Sequence, residues 1–141
     1  MSYREKTAWL SLIAMVATFG PYFTIVATRS LPDTISPTLY QLGEYAATVI
    51  AQLIILGCGH LYLRLSSPQE ARTPPDERDR AIMGRAMTSA YSVMLAGMIY
   101  VGCIMPFTSR KWSIVHSAFF MIVTAELVRY GVVVVSYRRQ S

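Results

Sequence analysis

The stretch TAWLSLIAMVATFGPYFTIVAT, Thr7–Thr28, contains no charged side chain. Roughly 20 apolar residues in a helix suffice to cross the hydrocarbon core of a bilayer, so this one segment already points to a membrane span. Arg4, Glu5 and Lys6 precede it and Arg29 follows it. The run is longer than the apolar region of a signal peptide, and Ala27-Thr28-Arg29 makes a poor cleavage site, so it reads as a retained first span. Working outward, two further runs lack charge, Tyr45–Leu63 and Ala86–Ser109. A fourth apolar segment, Ser113–Ser136, is interrupted by Glu126 and Arg129. The expected fold is therefore an all-α, integral membrane four-helix bundle forming a single transmembrane domain. Its spans are expected at about 7–27, 41–63, 86–107 and 113–136, with a loop over 64–85.

The bulk composition agrees. Of 141 residues, 53% are hydrophobic and only 15% are charged, whereas a soluble domain is usually about 25% charged. The net charge of +5 would suggest nucleic acid in a soluble protein, but no polar stretch is long enough for a reader module. The basic residues instead sort by side. Arg4, Lys6, Arg64, Arg72, Arg78, Arg80, Arg85, Arg138 and Arg139 fall on the side of the termini and the 64–85 loop, against Arg29, Arg110 and Lys111 opposite. Positive residues concentrate in cytoplasmic segments, so both termini are expected in the cytoplasm. Trp9, Tyr40, Trp112 and Tyr137 fit aromatic belts at the two interfaces. The two cysteines, Cys58 and Cys103, are expected near opposite leaflets, too far apart for a disulfide.

Between the spans, Pro32 and Pro37 predict an ordered outer loop over Leu31–Leu39. In the inner loop, Thr73 is placed to cap a resuming helix, Pro75 suits its first turn, and Asp76 and Glu77 favour its positive end. The third span is thus expected to begin near Asp76 and to enter the membrane without a break, closing at Pro106. Gly20-Pro21 marks a tolerable kink in the first span.

Ionisable groups at membrane depth are the best functional pointers, because each is costly when it faces lipid. An inner set comprises Glu126 and Arg129, three apart on one helix, with His60 at similar depth. It reads either as a structural ion pair within the bundle or as a substrate or proton site. An outer set pairs Glu44 with His116, either a proton-sensitive couple or two interfacial polar residues. His60 and His116 are separated in depth by roughly 20 Å at 1.5 Å per residue, too far to share one haem or metal. In the second span Glu44, Thr48, Gln52, Gly59 and Tyr62 form a polar stripe beside a Gly43, Ala47, Ala51 ridge. That stripe reads as a packing face with Gln52 bonded across it, or as the lining of a path. In the third span Met83, Met87, Met94, Met98 and Met105 recur at intervals of four and seven. This pattern fits a packing seam or an apolar-ligand seam. Copper would require further soft ligands on that face. The zincin, nucleophile-elbow, phosphate-loop and dinucleotide motifs are missing. The sequence therefore predicts no catalytic residues, no metal ligands, no cofactor and no nucleic-acid partner.

The stretch Asp76-Glu77-Arg78-Asp79-Arg80-Ala81-Ile82, together with the opening Arg4-Glu5-Lys6-x-x-Trp9, resembles a family of uncharacterised small four-span prokaryotic membrane proteins. In that family a D-E-R-D-R-x-I motif precedes the third span. The resemblance implies four spans and a regulatory role of the kind suspected for small membrane proteins that work alongside DNA-binding regulators. Physically, Asp76, Glu77, Arg78, Asp79 and Arg80 form a charged helical collar that either pairs with itself or docks a partner. The expectation is a non-enzymatic regulatory or accessory protein acting through helix packing and this collar. Its partners would be the lipid bilayer, a second copy in a homodimer, and a membrane or cytoplasmic protein. The alternatives are a dimeric small-molecule or proton-coupled transporter centred on Glu126, and a receptor for an apolar ligand along Met87, Met94, Met98 and Met105.

Overall fold

The computed structural model describes residues 3–28, 39–109 and 111–139. The chain between Leu31 and Leu39 expected to form an ordered loop, and the basic residues Arg29 and Arg110, lie outside the described residues apart from the start of the second helix. Every long element is helical. Helix α1 spans Tyr3–Thr28 and α2 spans Leu39–Ser66, followed by a single turn, α3, over Pro68–Arg72. Helix α4 spans Glu77–Ile99 and passes through a π-helical turn, Tyr100–Ile104, into α5, Met105–Thr108. Helix α6 spans Lys111–Arg138. The segments Tyr3–Thr28, Leu42–Ser66, Glu77–Thr108 and Ser113–Arg138 are each long and apolar enough to cross a membrane. The chain is a multi-pass membrane protein.

Two local expectations are corrected. The cap of α4 is Asp76, not Thr73: the Asp76 carboxylate accepts the Asp79 backbone N–H at 2.7 Å. A carboxylate satisfies an orphan N–H and also meets the positive end of the helix dipole, and both Pro74 and Pro75 then stay outside the helix. At the far end, the third span does not close at Pro106 but runs on to Thr108. Proline removes an N–H and crowds the carbonyl four residues back; the π turn directly ahead of Pro106 widens the helix there. Helix α1 likewise continues through Pro21.

The helices are arranged in the order α2, α1, α6, α4. Helix α1 packs between α2 and α6, and α4 packs along α6. Helix α2 is an edge element resting on α1, reaching α6 where the Tyr45 and Phe119 rings meet at 4.7 Å. Small residues make the close approaches. On α4 the buried positions are Ile82, Ala86, Ala90 and Gly97. A Cβ on Gly97 would stand 2.6 Å from the Met121 sulfur and 3.0 Å from the Met121 Cβ, so only glycine lets α6 approach this closely. On the α1–α2 interface a Cβ at Gly59 would meet the Leu10 side chain at 2.6 Å. Without a hydrophobic force between helices in lipid, such close van der Waals contact is what holds them together. Away from the termini, Phe19, Tyr22, Phe23, Tyr45 and Phe119 form an edge-to-face aromatic cluster, the geometry ring quadrupoles favour.

Candidate functional site

The charged collar opens α4 at the end of the bundle where α1 begins and α6 ends. Asp76 is consumed as the cap. One helical turn on, Asp79 faces inward and receives two other helices. Its Oδ2 pairs with the Arg4 Nε of α1 at 2.9 Å, and its Oδ1 accepts the hydroxyl of Tyr137 from α6. Arg4 also donates through Nη2 to the Thr73 carbonyl at 3.2 Å, tying the approach to α4 onto the same guanidinium. Three helices thus meet at one carboxylate, and the loop before α4 joins them through Arg4. Beneath it Ala8, Ile82, Ala86, Val133, Val134 and Tyr137 pack as a buried cluster, with Trp9 against it. The Arg138 guanidinium lies 5.2 Å from the Trp9 ring centroid, a cation–π contact.

The node divides the motif. Asp79 is half-buried against the fold, whereas Asp76, the cap, and Glu77, Arg78 and Arg80 are exposed. Asp79 is the residue whose role the motif alone does not reveal, because its partners Arg4 and Tyr137 lie 75 and 58 positions away in the chain. One signal was present in the sequence. The helix spacing from Asp79 to Ile82 and Ala86 puts all three on one face.

The inner set is brought together in part. Arg129 Nη1 and Glu126 Oε2 are 3.2 Å apart on α6, and the Arg129 guanidinium also lies 5.4 Å from the Tyr130 ring centroid. His60 is on α2, where its Nδ1 lies 2.8 Å from its own helix carbonyl at Leu56. Helix α1 stands between α2 and most of α6, and none of the described contacts links His60 to the Glu126–Arg129 pair. In the outer set the Tyr22 hydroxyl lies 3.2 Å from His116 Nδ1. Tyr22 is buried on α1 and was not picked out by the sequence, which has no periodic cue linking it to His116. Glu44 is half-buried on α2 at the same end, one residue before Tyr45.

The polar stripe of α2 is its packing face. Gln52 is 6% exposed and its Oε1 accepts the Thr18 hydroxyl of α1 at 2.6 Å. Tyr62, placed on that stripe by spacing, is exposed, as are Gly43, Ala47 and Ala51. The methionine stripe of α4 is not its seam. Met83, Met87, Met94 and Met98 are exposed beside the Ala86, Ala90, Gly97 contact, while Met105 is buried. The π turn explains the split: an added residue per turn rotates everything after it relative to the helix before it. Seven residues beyond Met98, Met105 therefore leaves the stripe and turns inward. Cys58 and Cys103 are both exposed and unbridged. Among the described residues, no three His, Cys, Asp or Glu side chains converge as a metal-binding group. No protein-family model, curated protein or solved structure matches the chain.

Proposed function

We propose that the chain is a non-enzymatic regulatory or accessory protein of a bacterial inner membrane, with both termini and the collar in the cytoplasm. The orientation rests on the excess of Lys and Arg at the terminal end. The observation that carries the reading is the divided collar. Asp79 locks the first turn of α4 onto α1 and α6, and this fixes the helix backbone from which the exposed Glu77, Arg78 and Arg80 project. A pre-ordered charged ridge of this kind favours recognition of a partner with complementary charge. The edge position of α2, with Leu42, Ile50, Leu53, Ile54 and Leu61 exposed, supplies a lateral face for a second copy or a membrane partner.

The test is a pull-down from mild detergent with Arg78→Glu and Arg80→Glu combined. A partner-docking collar predicts loss of specific co-purifying proteins while membrane insertion and thermal stability are retained. Recovery of the same proteins by both forms overturns the proposal. Crosslinking through Cys58, on the exposed side of α2, reports whether two copies meet on that helix.

A further inference from the structure

The node at Asp79 and the cation–π contact at Trp9 engage Arg4 and Arg138, and Glu126 engages Arg129. Two arginines at the same end of the bundle are used differently. Arg85 of α4 and Arg139, just beyond α6, line one open groove of about 520 Å³ together with Ser136 of α6. Among the described residues, neither Arg85 nor Arg139 has a carboxylate partner. Both are exposed.

The rest of the groove is apolar. Val128, Val132 and Val135 form its wall, and Gly131 leaves the floor without a side chain. Arg85 immediately precedes the charge-free run Ala86–Ser109, and Arg139 immediately follows the last span. The two guanidinium groups therefore mark the membrane–water boundary. From Arg139 back to Val128, at 1.5 Å per residue, the groove descends about 16 Å along α6, well into the depth of acyl chains. One end is doubly cationic and the other is hydrocarbon-like.

We infer that this groove is a binding site for one anionic phospholipid. Its phosphate would sit between the Arg85 and Arg139 guanidinium groups, with the Ser136 hydroxyl as a further donor and an acyl chain against Val128, Val132 and Val135. Guanidinium forks match phosphate oxygens with charge-assisted hydrogen bonds, and basic pockets between spans at a membrane surface select anionic headgroups. Among the described residues, no carboxylate lines the groove to receive the ammonium of a zwitterionic headgroup. The apolar wall distinguishes a lipid from a free phosphate compound, which would leave the valines uncovered. The inference does not depend on the accessory role proposed above, since a transporter or receptor would hold the same lipid.

The full-length protein in mild detergent is titrated with phosphatidylglycerol, phosphatidylcholine or inorganic phosphate, following thermal stability and lipid retention by native mass spectrometry. Phosphatidylglycerol is expected to be retained and to raise the Tm, while the other two leave it unchanged. Arg85→Gln with Arg139→Gln should weaken phosphatidylglycerol binding at least about tenfold, in line with the loss of charge-assisted contacts. Arg64→Gln, a boundary arginine outside the groove, should not. Val135→Trp, which fills the groove from an exposed position, should also block binding while leaving the arginines in place. Equal stabilisation by phosphatidylcholine overturns the inference, as does an effect of Arg64→Gln equal to that of the groove double variant. Inorganic phosphate matching the lipid reassigns the site to a free anion and equally overturns it.

Discussion

Removing the Asp79 carboxylate should loosen the whole terminal end of the bundle. In Asp79→Ala the Tyr137 hydroxyl, in a residue only 7% exposed, loses its acceptor. A hydrogen bond to a charged group contributes about 1.5–3 kcal/mol. The Arg4 pair is lost as well; its side chains are 31% and 17% exposed, and a partly solvated pair adds about 1 kcal/mol at most. The expected destabilisation is about 2–4 kcal/mol. At about 3 °C per kcal/mol for a chain of this size, the Tm should fall by about 6–12 °C. Thermal unfolding in mild detergent, followed by circular dichroism and by Trp fluorescence, measures this; Trp9 packs directly against the affected cluster. A double-mutant cycle isolates the contact. Tyr137→Phe alone should cost less than Asp79→Ala, and the two together should fall short of their sum by about 1 kcal/mol. Glu77→Ala, two residues away but exposed, should be nearly neutral. If Asp79→Ala and Tyr137→Phe add to within about 0.5 kcal/mol, or if Glu77→Ala costs as much as Asp79→Ala, the node does not hold the three helices.

Further outcomes follow from the interfaces. Gly97→Leu drives a side chain into Met121 and should cost about 1–3 kcal/mol by overpacking, whereas Gly84→Leu, with nothing within 4 Å of its Cβ position, should be close to neutral in the same unfolding assay. Gln52→Leu removes the bond to Thr18, but Thr18 keeps its bond to the Ala14 carbonyl at 2.9 Å; the loss should stay near the average of about 0.6 kcal/mol for hydrogen bonds between spans, and an unfolded protein would contradict this account. Glu126→Gln strands Arg129 within the fourth span, so the double variant Glu126→Gln, Arg129→Gln should be more stable than Glu126→Gln alone; a pair serving only structure requires this rescue in thermal melts, and pH-coupled uptake abolished by Glu126→Gln in proteoliposomes would instead favour transport. Met94→Ala with Met98→Ala touches exposed side chains and should shift stability by no more than about 0.5 kcal/mol, which makes that variant a clean probe for stabilisation by a panel of apolar ligands.

The number of spans was legible because charge is excluded from hydrocarbon, and three uninterrupted runs plus one interrupted by Glu126 and Arg129 are visible in the chain itself. The start of α4 near Asp76 and the Gln52 bond across an interface were legible for related reasons. A carboxylate before a helix and an amide within lipid both need partners. Thr73 yields the cap to Asp76, three residues on, which offers the same local chemistry with an added charge.

Which faces meet was not legible. In water a helix buries its apolar stripe and shows its polar one, so hydrophobic periodicity locates the core. In a bilayer both faces are apolar, and the regular Met83, Met87, Met94, Met98 stripe has the spacing of a seam while the contact lies on Ile82, Ala86, Ala90 and Gly97. Close packing selects small residues there, and periodic apolarity does not report it. The π turn that removes Met105 from the stripe also has no periodic signature. The sequence alone determined a four-span, basic-ended membrane protein with a charged helix start. Only the tertiary structure decided the order α2, α1, α6, α4, the inward turn of Asp79 onto Arg4 and Tyr137, and the pairing of Arg85 with Arg139 at one groove. Each of these joins residues far apart in the chain, and lipid supplies no hydrophobic gradient that would point one helix face toward another.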